Sequence, residues 1–289
     1  ALAMAGFGYK VASVPFHFWC PDVYEGAPTP VTAYLSVAPK AAGFALLARF
    51  FYMGLSRYDG TSGVALLVDW PHLLAVISAC TMTLGNLSAI WQNNLKRLLA
   101  YSSIAHAGYM MMGVVMLSAA GLKAVMFYAA AYLLMNLGAF LVVLLIAART
   151  RSEDISEYRG LGWRSPWLAL AMTGFLFSLT GIPPTAGFIG KVYLFASVID
   201  GGLYWLAVVG VANSAVSLYY YARIIRAMYF EPADDEGAIA LPAFSTITLA
   251  VLLAGTVILG VYWTPLADLA SRSAELFSAA GIGAQTLAH

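Results

Sequence analysis

Lys10, Lys40 and Lys191 each fall inside a long apolar stretch of the chain. Lys40 lies 11 residues past Thr29, where its stretch begins, about 16 Å along a helix at 1.5 Å per residue. That depth is near the middle of a hydrocarbon layer. Lys10 comes well before the polar pair Asp22 and Glu25, and Lys191 follows a proline-containing break. A charge so placed costs roughly 2.5–3.5 kcal/mol even on a lenient insertion scale, and three in one bundle need a reason. Proton exchange supplies one. An ammonium stripped of water holds its proton less tightly, so a small change in a nearby charge loads or unloads it. Arginine stays protonated and cannot serve. The competing reading is snorkelling, the amine reaching the interface on its flexible stem. That reading suits Arg49, Lys96, Arg97 and Lys123, which lie near segment ends.

Two histidines, His17 and His106, also fall in apolar segments. Ser102 and Ser103 precede His106 by four and three residues, on one helical face. They are expected to hold water beside the imidazole and extend a polar path. The run Tyr219-Tyr220-Tyr221 and the methionines 110–112 read as packing or belt residues. Aspartate and glutamate fall in loops or near segment ends, so Lys10 has no evident carboxylate partner in this chain. An unpaired buried charge is disfavoured, which calls for a partner from outside. Cys20 and Cys80 show no metal or disulfide spacing and read as small apolar residues.

The elements that must position these groups are membrane helices. Of 289 residues, 61% are hydrophobic and 10% charged, and the mean hydropathy is +0.79. A soluble domain carries about 25% charge. The composition describes a polytopic membrane protein of all-α class and gives no nucleic-acid surface. Eight apolar segments cover 1–19, 29–56, 70–92, 95–118, 121–148, 166–198, 203–229 and 241–264. They are too long and too continuously apolar for barrel strands of about 10 alternating residues. The segment 166–198 holds Gly181-Ile-Pro-Pro-Thr-Ala-Gly187 at its centre. Its prolines remove donors and obstruct the preceding turn, so two half-helices joined by an extended piece are expected. Residues 1–264 form the membrane domain, and 265–289 read as a polar tail with little amphipathic character. The opening Ala-Leu-Ala-Met, already inside an apolar segment, reads as a fragment of a longer protein.

Loop charge orients the bundle. Lys96, Arg97, Arg149, Arg151, Arg159, Arg164, Arg223 and Arg226 collect on one side, against Arg57, Lys123 and Arg272 on the other. The arginine-rich side is expected to face the cytoplasm or its organellar equivalent.

The stretch Phe7-Gly-Tyr-Lys-Val-Ala-Ser-Val-Pro-Phe-His-Phe-Trp-Cys-Pro-Asp-Val-Tyr-Glu-Gly-Ala-Pro-Thr-Pro-Val-Thr32 resembles the subunit N family of bacterial respiratory complex I. Asn93-Asn-Leu-Lys-Arg-Leu-Leu-Ala-Tyr-Ser-Ser-Ile-Ala-His-Ala-Gly-Tyr109 resembles the same family, as do Tyr158-Arg-Gly-Leu161 and Gly181-Ile-Pro-Pro-Thr-Ala-Gly-Phe-Ile-Gly-Lys191. The matches run in order to about Phe230. The resemblance implies an antiporter-like, proton-translocating subunit of NADH:quinone oxidoreductase in a bacterial inner membrane. The first and sixth segments would both be discontinuous helices. Lys10 would be the central switch, Lys40 the connecting relay and Lys191 the entry or exit group. The family's membrane-embedded glutamate, the partner of the lysine at position 10, has no counterpart here. Partners would be other complex I membrane subunits and the bilayer. NADH, FMN, iron–sulfur clusters and quinone would belong to partner subunits, since this chain shows no cysteine cluster and no Gly-rich strand–helix motif.

Three function classes compete. The leading one is a redox-driven proton pump subunit. A multisubunit cation/proton antiporter or membrane-bound hydrogenase subunit is the alternative, although a sodium site would want carboxylates. The third is a membrane scaffold with vestigial lysines.

Overall fold

Proline, glycine and short polar caps set where the helices begin and end. The computed structural model describes residues 2–51, 69–233, 237, 239 and 241–286, with side chains as far as Glu275. It contains α1 (Leu2–Val11), α2 (Trp19–Gly26), α3 (Thr29–Arg49), α4 (Trp70–Ile90), α5 (Leu95–Val115) and α6 (Ala119–Thr150). After a 3₁₀ turn at Ile155–Tyr158 come α7 (Leu161–Arg164), α8 (Pro166–Thr180), α9 (Ala186–Asp200), α10 (Tyr204–Phe230), α11 (Ala243–Val261) and α12 (Thr264–Thr286). Side chains of Asp69, Asn94 and Ser118 accept backbone N–H bonds at the starts of α4, α5 and α6, satisfying donors that a helix start leaves open. Among the described residues there is no strand, only one isolated bridge between Asn94 and Asp154.

Five of the eight apolar segments return as single helices long and apolar enough to cross a bilayer: α3, α4, α5, α6 and α11. The sixth segment is broken as its prolines predict. Its halves α8 and α9 have 15 residues each, about 22 Å apiece. The seventh is α10, with 27 residues. Arg57 and the end of the second segment at 52–56 lie outside the described residues.

The first segment needs correcting in its bounds. It does not end at residue 19. The chain leaves α1 at Ala12, with φ 59°, turns through Ser13–Phe18 and resumes as α2. The discontinuous helix therefore runs from 2 to 26. Asp22 and Glu25 lie on its second half, Glu25 one residue from its end.

The C-terminal tail also differs from expectation. Residues 264–286 form a helix packed on α6. Ala267, Ala270 and Ala274 are buried at i, i+3 and i+7, one helical face. Asp268, Arg272 and Glu275 break up the apolar pattern in the sequence, which is why the stretch reads as polar.

At the centre stands α5, almost wholly buried. Small residues let α4 approach it closely. A Cβ on Gly85 would lie 2.6 Å from the Ala105 nitrogen, and one on Gly108 would lie 2.7 Å from the Met82 nitrogen. Such small-residue contacts are how helices pack where lipid removes the hydrophobic drive. Met110, Met111 and Met112 are buried packing, as read from the sequence.

At the arginine-rich end, charges tie the elements together. Lys96 donates to the Ala27 carbonyl at 2.7 Å and to Glu153 at 2.8 Å. Arg97 pairs with Asp22 and Glu25 at 2.8 and 2.6 Å, and Arg159 with Glu231 at 3.0 Å. Lys96 is only 3% exposed, so it does not snorkel. The carbonyl that ends α2 and a carboxylate in the next loop hold it instead.

Candidate functional site

Ser102, His106 and Tyr109 follow one another on α5 at i, i+4 and i+7, a single face, and Ser103 projects beside them toward α3. All four are buried. This polar stripe lies between Lys40 on α3 and Lys191 on α9.

Lys40 is 2% exposed. It directly follows Pro39, the proline inside α3. Its Nζ donates to both the carbonyl and the hydroxyl of Ser103 at 2.5 Å. The Tyr132 hydroxyl donates to the same Ser103 Oγ at 2.8 Å. One turn earlier on α3, Ser36 accepts from the Asn136 amide at 2.6 Å. Lys40 thus sits among neutral hydroxyls.

Lys191 is 3% exposed. Its Nζ donates to the Thr180 carbonyl at 2.7 Å and to Ser214 Oγ at 3.0 Å. Thr180 is the last residue of α8. Carbonyls at a helix C-terminus lack intrahelical partners and carry the negative end of the dipole. The proline break therefore creates the acceptor that holds the lysine. The ammonium also stands 4.5 Å from the Tyr109 ring centroid, a cation–π distance.

His106 lies between the two lysines and bonds neither directly. Its Nδ1 is 2.7 Å from the Tyr128 hydroxyl and its Nε2 is 3.5 Å from that of Tyr221. Tyr221 is 2.5 Å from Ser102 Oγ. The Tyr109 hydroxyl accepts from Ser214 Oγ at 3.2 Å and donates to the Gly210 carbonyl at 3.3 Å, and Ser214 accepts from Lys191. The direct partners of the imidazole are tyrosines of α6 and α10, while Ser103 serves Lys40 and Ser102 serves Tyr221.

Of the residues singled out in the sequence, the structure brings together Lys40, Ser102, Ser103, His106 and Lys191. Lys10 and His17 stand apart. Lys10 lies at the end of α1 and is exposed in this chain taken alone. Its stem passes Gly43 of α3, one turn from Lys40. The chain turns out of helix at Ala12, so Lys10 lies where the discontinuous helix breaks. His17 is buried, stacks on Phe18 at 4.4 Å and has no hydrogen-bond partner for Nδ1.

Sequence reading missed Tyr109, Tyr128, Tyr132, Tyr220, Tyr221 and Ser214. The aromatic run at 219–221 is not uniform. Tyr219 is 63% exposed, whereas Tyr220 and Tyr221 are each 1% exposed. The available signal was the helical period on α10: Asn213, Ser217, Tyr220 and Ile224, at i, i+4, i+7 and i+11, are all buried.

Residues 1–217 match the family described as NADH:quinone oxidoreductase/Mrp antiporter, membrane region. The chain is 52% identical over 280 residues to NADH-quinone oxidoreductase subunit N 2 of Sorangium cellulosum, covering 96% of this chain and 55% of the relative. It is 50% identical over 282 residues to subunit N 2 of Chloroherpeton thalassium, covering 96% and 55%. Among solved structures, a chain of respiratory complex I from Thermus thermophilus with bound aureothin superposes with a TM-score of 0.76 at 36% identity. That superposition covers 91% of this chain and 56% of the other. The chain spans about half the length of the curated relatives it matches.

Proposed function

The chain belongs to the NADH:quinone oxidoreductase/Mrp antiporter membrane family, and from that premise we propose that it carries protons across a bacterial inner membrane as part of a subunit N of complex I. Electron transfer from NADH through FMN and iron–sulfur clusters to quinone takes place in other subunits, and this chain answers it with proton movement.

The observation that carries the reading is the buried row Lys40, Ser103, His106, Tyr221, Tyr109 and Lys191, set across the bundle interior with no carboxylate among its hydrogen-bond partners in the described residues. Among the described residues each lysine ammonium is held by neutral acceptors, an arrangement that leaves its proton exchangeable. Gaps between the links, such as that from Lys40 to His106, are spanned by water. A proton on Lys40 and one on Lys191 repel each other through an interior of low dielectric, so loading one end favours release at the other. Lys10, on the open face one turn from Lys40, receives its partner acid from a part of the protein outside this chain and couples that partner to the row.

The test uses the full-length subunit in its assembled complex, reconstituted in sealed vesicles. Lys40→Ala and Lys191→Ala are expected to abolish most proton transport coupled to quinone reduction, and Lys40→Arg is expected to fail as well, because arginine keeps its proton. Wild-type proton-to-electron ratios in all three variants would defeat the reading. A sodium requirement for transport would favour the antiporter alternative.

A further inference from the structure

A cleft of about 400 Å³ opens at the arginine-rich end of the bundle, where the loop after α6 meets the ends of α4 and α10. Its lining carries both signs of charge: Arg159 and Arg223 against Asp154 and Glu231, with Asn93 and Ser156 as neutral groups. These charges are unequally engaged. Glu231 is held by Arg159 at 3.0 Å and by Arg226 at 3.3 Å. Arg223 gives part of its donor fork to the carbonyls of Ile90 and Gln92. Asp154 is exposed, and among the described residues no cation pairs with its carboxylate. None of these groups belongs to the row between Lys40 and Lys191.

We propose that the cleft binds the headgroup of a zwitterionic phospholipid whose phosphodiester is followed by a primary ammonium, as in phosphatidylethanolamine. The proposal goes beyond the relay reading and needs only that the helices lie in a bilayer. Depth is the first observation behind it. Trp91 at the end of α4, Trp163 on α7 and Phe230 at the end of α10 are all exposed. They bracket the cleft along the chain: Trp91 comes two residues before Asn93, Trp163 four after Arg159, and Phe230 directly before Glu231. Exposed tryptophans gather where hydrocarbon gives way to headgroups, so the cleft stands at phosphate level. The second observation is a track for the lipid chain. Val211, Leu218, Ala222 and Arg226 lie at i, i+7, i+11 and i+15 of α10, on one exposed face. That face is apolar until Arg226, whose guanidinium reaches Glu231 in the cleft. An acyl chain laid along it brings its headgroup to the opening.

The third observation is the charge pattern, and it selects the headgroup. Basic clefts between membrane helices hold lipid phosphates, since guanidinium donors match phosphate oxygens. A phosphate alone would leave the Asp154 carboxylate unanswered and would meet Glu231 as a like charge. A primary ammonium two carbons beyond the phosphate gives Asp154 a cation and hydrogen bonds together. The quaternary ammonium of a choline headgroup has no N–H to donate, and a glycerol headgroup has no positive charge. Bound in this way, the lipid ties the loop after α6 to the ends of α4 and α10.

The test places the full-length subunit, in its assembled complex, in nanodiscs that contain a little phosphatidylethanolamine with a diazirine at the top of one acyl chain. After illumination, mass spectrometry maps the labelled peptides. The expected label falls at the end of α10, and unlabelled phosphatidylethanolamine displaces it several-fold better than phosphatidylcholine or phosphatidylglycerol does. Asp154→Asn, which keeps the shape and removes the charge, is expected to abolish the advantage of ethanolamine over choline at unchanged quinone reductase activity. Lys40→Ala is expected to label like wild type, so failure of the relay would not touch this site. The wild-type competition decides without any variant. Equal displacement by the three lipids would mean ordinary annular lipid, and best displacement by phosphatidylglycerol would mean a plain anion site. Label absent from the cleft would mean that a protein neighbour covers it. Displacement by soluble glycerophosphoethanolamine as readily as by the lipid would mean a site for a free ligand. Each of these overturns the proposal, as does an Asp154→Asn complex that still prefers ethanolamine.

Discussion

Gly181 and Lys191 meet across the break between α8 and α9. Gly181 ends α8 in the left-handed region at φ 88°, and a Cβ there would lie 2.8 Å from Lys191 Cδ. The same turn leaves the Thr180 carbonyl free to accept from Lys191 Nζ at 2.7 Å. Sequence, backbone and site chemistry thus converge in eleven residues. The glycine allows both the turn and the passage of the lysine stem, and the turn supplies the acceptor.

Gly181→Ala is therefore expected to be costly twice over. A non-glycine residue in the left-handed region costs about 1 kcal/mol or more, and the added methyl pushes the Lys191 stem aside. Thermal unfolding should report a loss on the order of 1–3 kcal/mol. Proton transport should fall further than that loss explains, because the Thr180–Lys191 bond is displaced. A variant that unfolds and pumps like wild type would show that Lys191 does not depend on this turn.

Tyr219 and Tyr221 make a paired prediction, because they differ in environment and not in chemistry. Tyr221→Phe deletes the hydroxyl that lies 2.5 Å from Ser102 and 3.5 Å from His106. It should slow proton transport several-fold and cost about 1 kcal/mol of stability. Tyr219→Phe alters an exposed residue on the opposite side of α10 and should leave both unchanged. Equal effects, or none in either, would remove Tyr221 from the path.

Most of the apolar spans, the proline break and the arginine-rich end were legible in the sequence because each is local. Long apolar runs, Pro183-Pro184 and loop charges need no tertiary knowledge. Lys40 and Lys191 were legible for the same reason: depth in a segment can be counted. What stayed hidden depends on which face of a helix turns inward. Tyr128 and Tyr132 lie amid apolar neighbours, and only the packing of α6 on α5 gives their hydroxyls to His106 and Ser103. Lys10 lies where the discontinuous helix breaks at Ala12, and what covers it depends on packing that counting residues does not give.

Lys96 and Glu153 test whether the clamp at the arginine-rich end is structural. The two partners are unequally buried, at 3% and 24% exposure. Lys96→Met leaves Glu153 partly exposed, able to regain water, and should cost about 2 kcal/mol. Glu153→Gln keeps an acceptor oxygen but leaves the buried ammonium, still bonded to the Ala27 carbonyl, without its counter-charge, and should cost more, about 3 kcal/mol. Thermal unfolding of the two single variants and the double variant separates these terms. The reverse order would mean that Lys96 is rehydrated and the clamp is open.

Asp69 offers a pH dependence outside the membrane spans. Its carboxylate accepts from the His72 backbone N–H at 3.2 Å and lies 2.7 Å from the His72 ring. The backbone hydrogen bond first, then the side-chain bond and the charge of His72, hold its pKa below the ordinary carboxylate value. With the folded value depressed, the cap contributes fully above the unfolded pKa of about 3.9. That contribution is lost as pH falls through the folded value. Both groups are largely exposed, so the effect is confined to the first turn of α4. Amide hydrogen exchange at His72 and Leu73 should report it: protection falls on acidification below about pH 4 in the wild type. Asp69→Asn, an equally good cap that does not titrate, should hold its protection through the same range, and Asp69→Ala should lack it throughout. If Asp69→Asn loses protection on acidification as steeply as wild type, the titrating group is not Asp69.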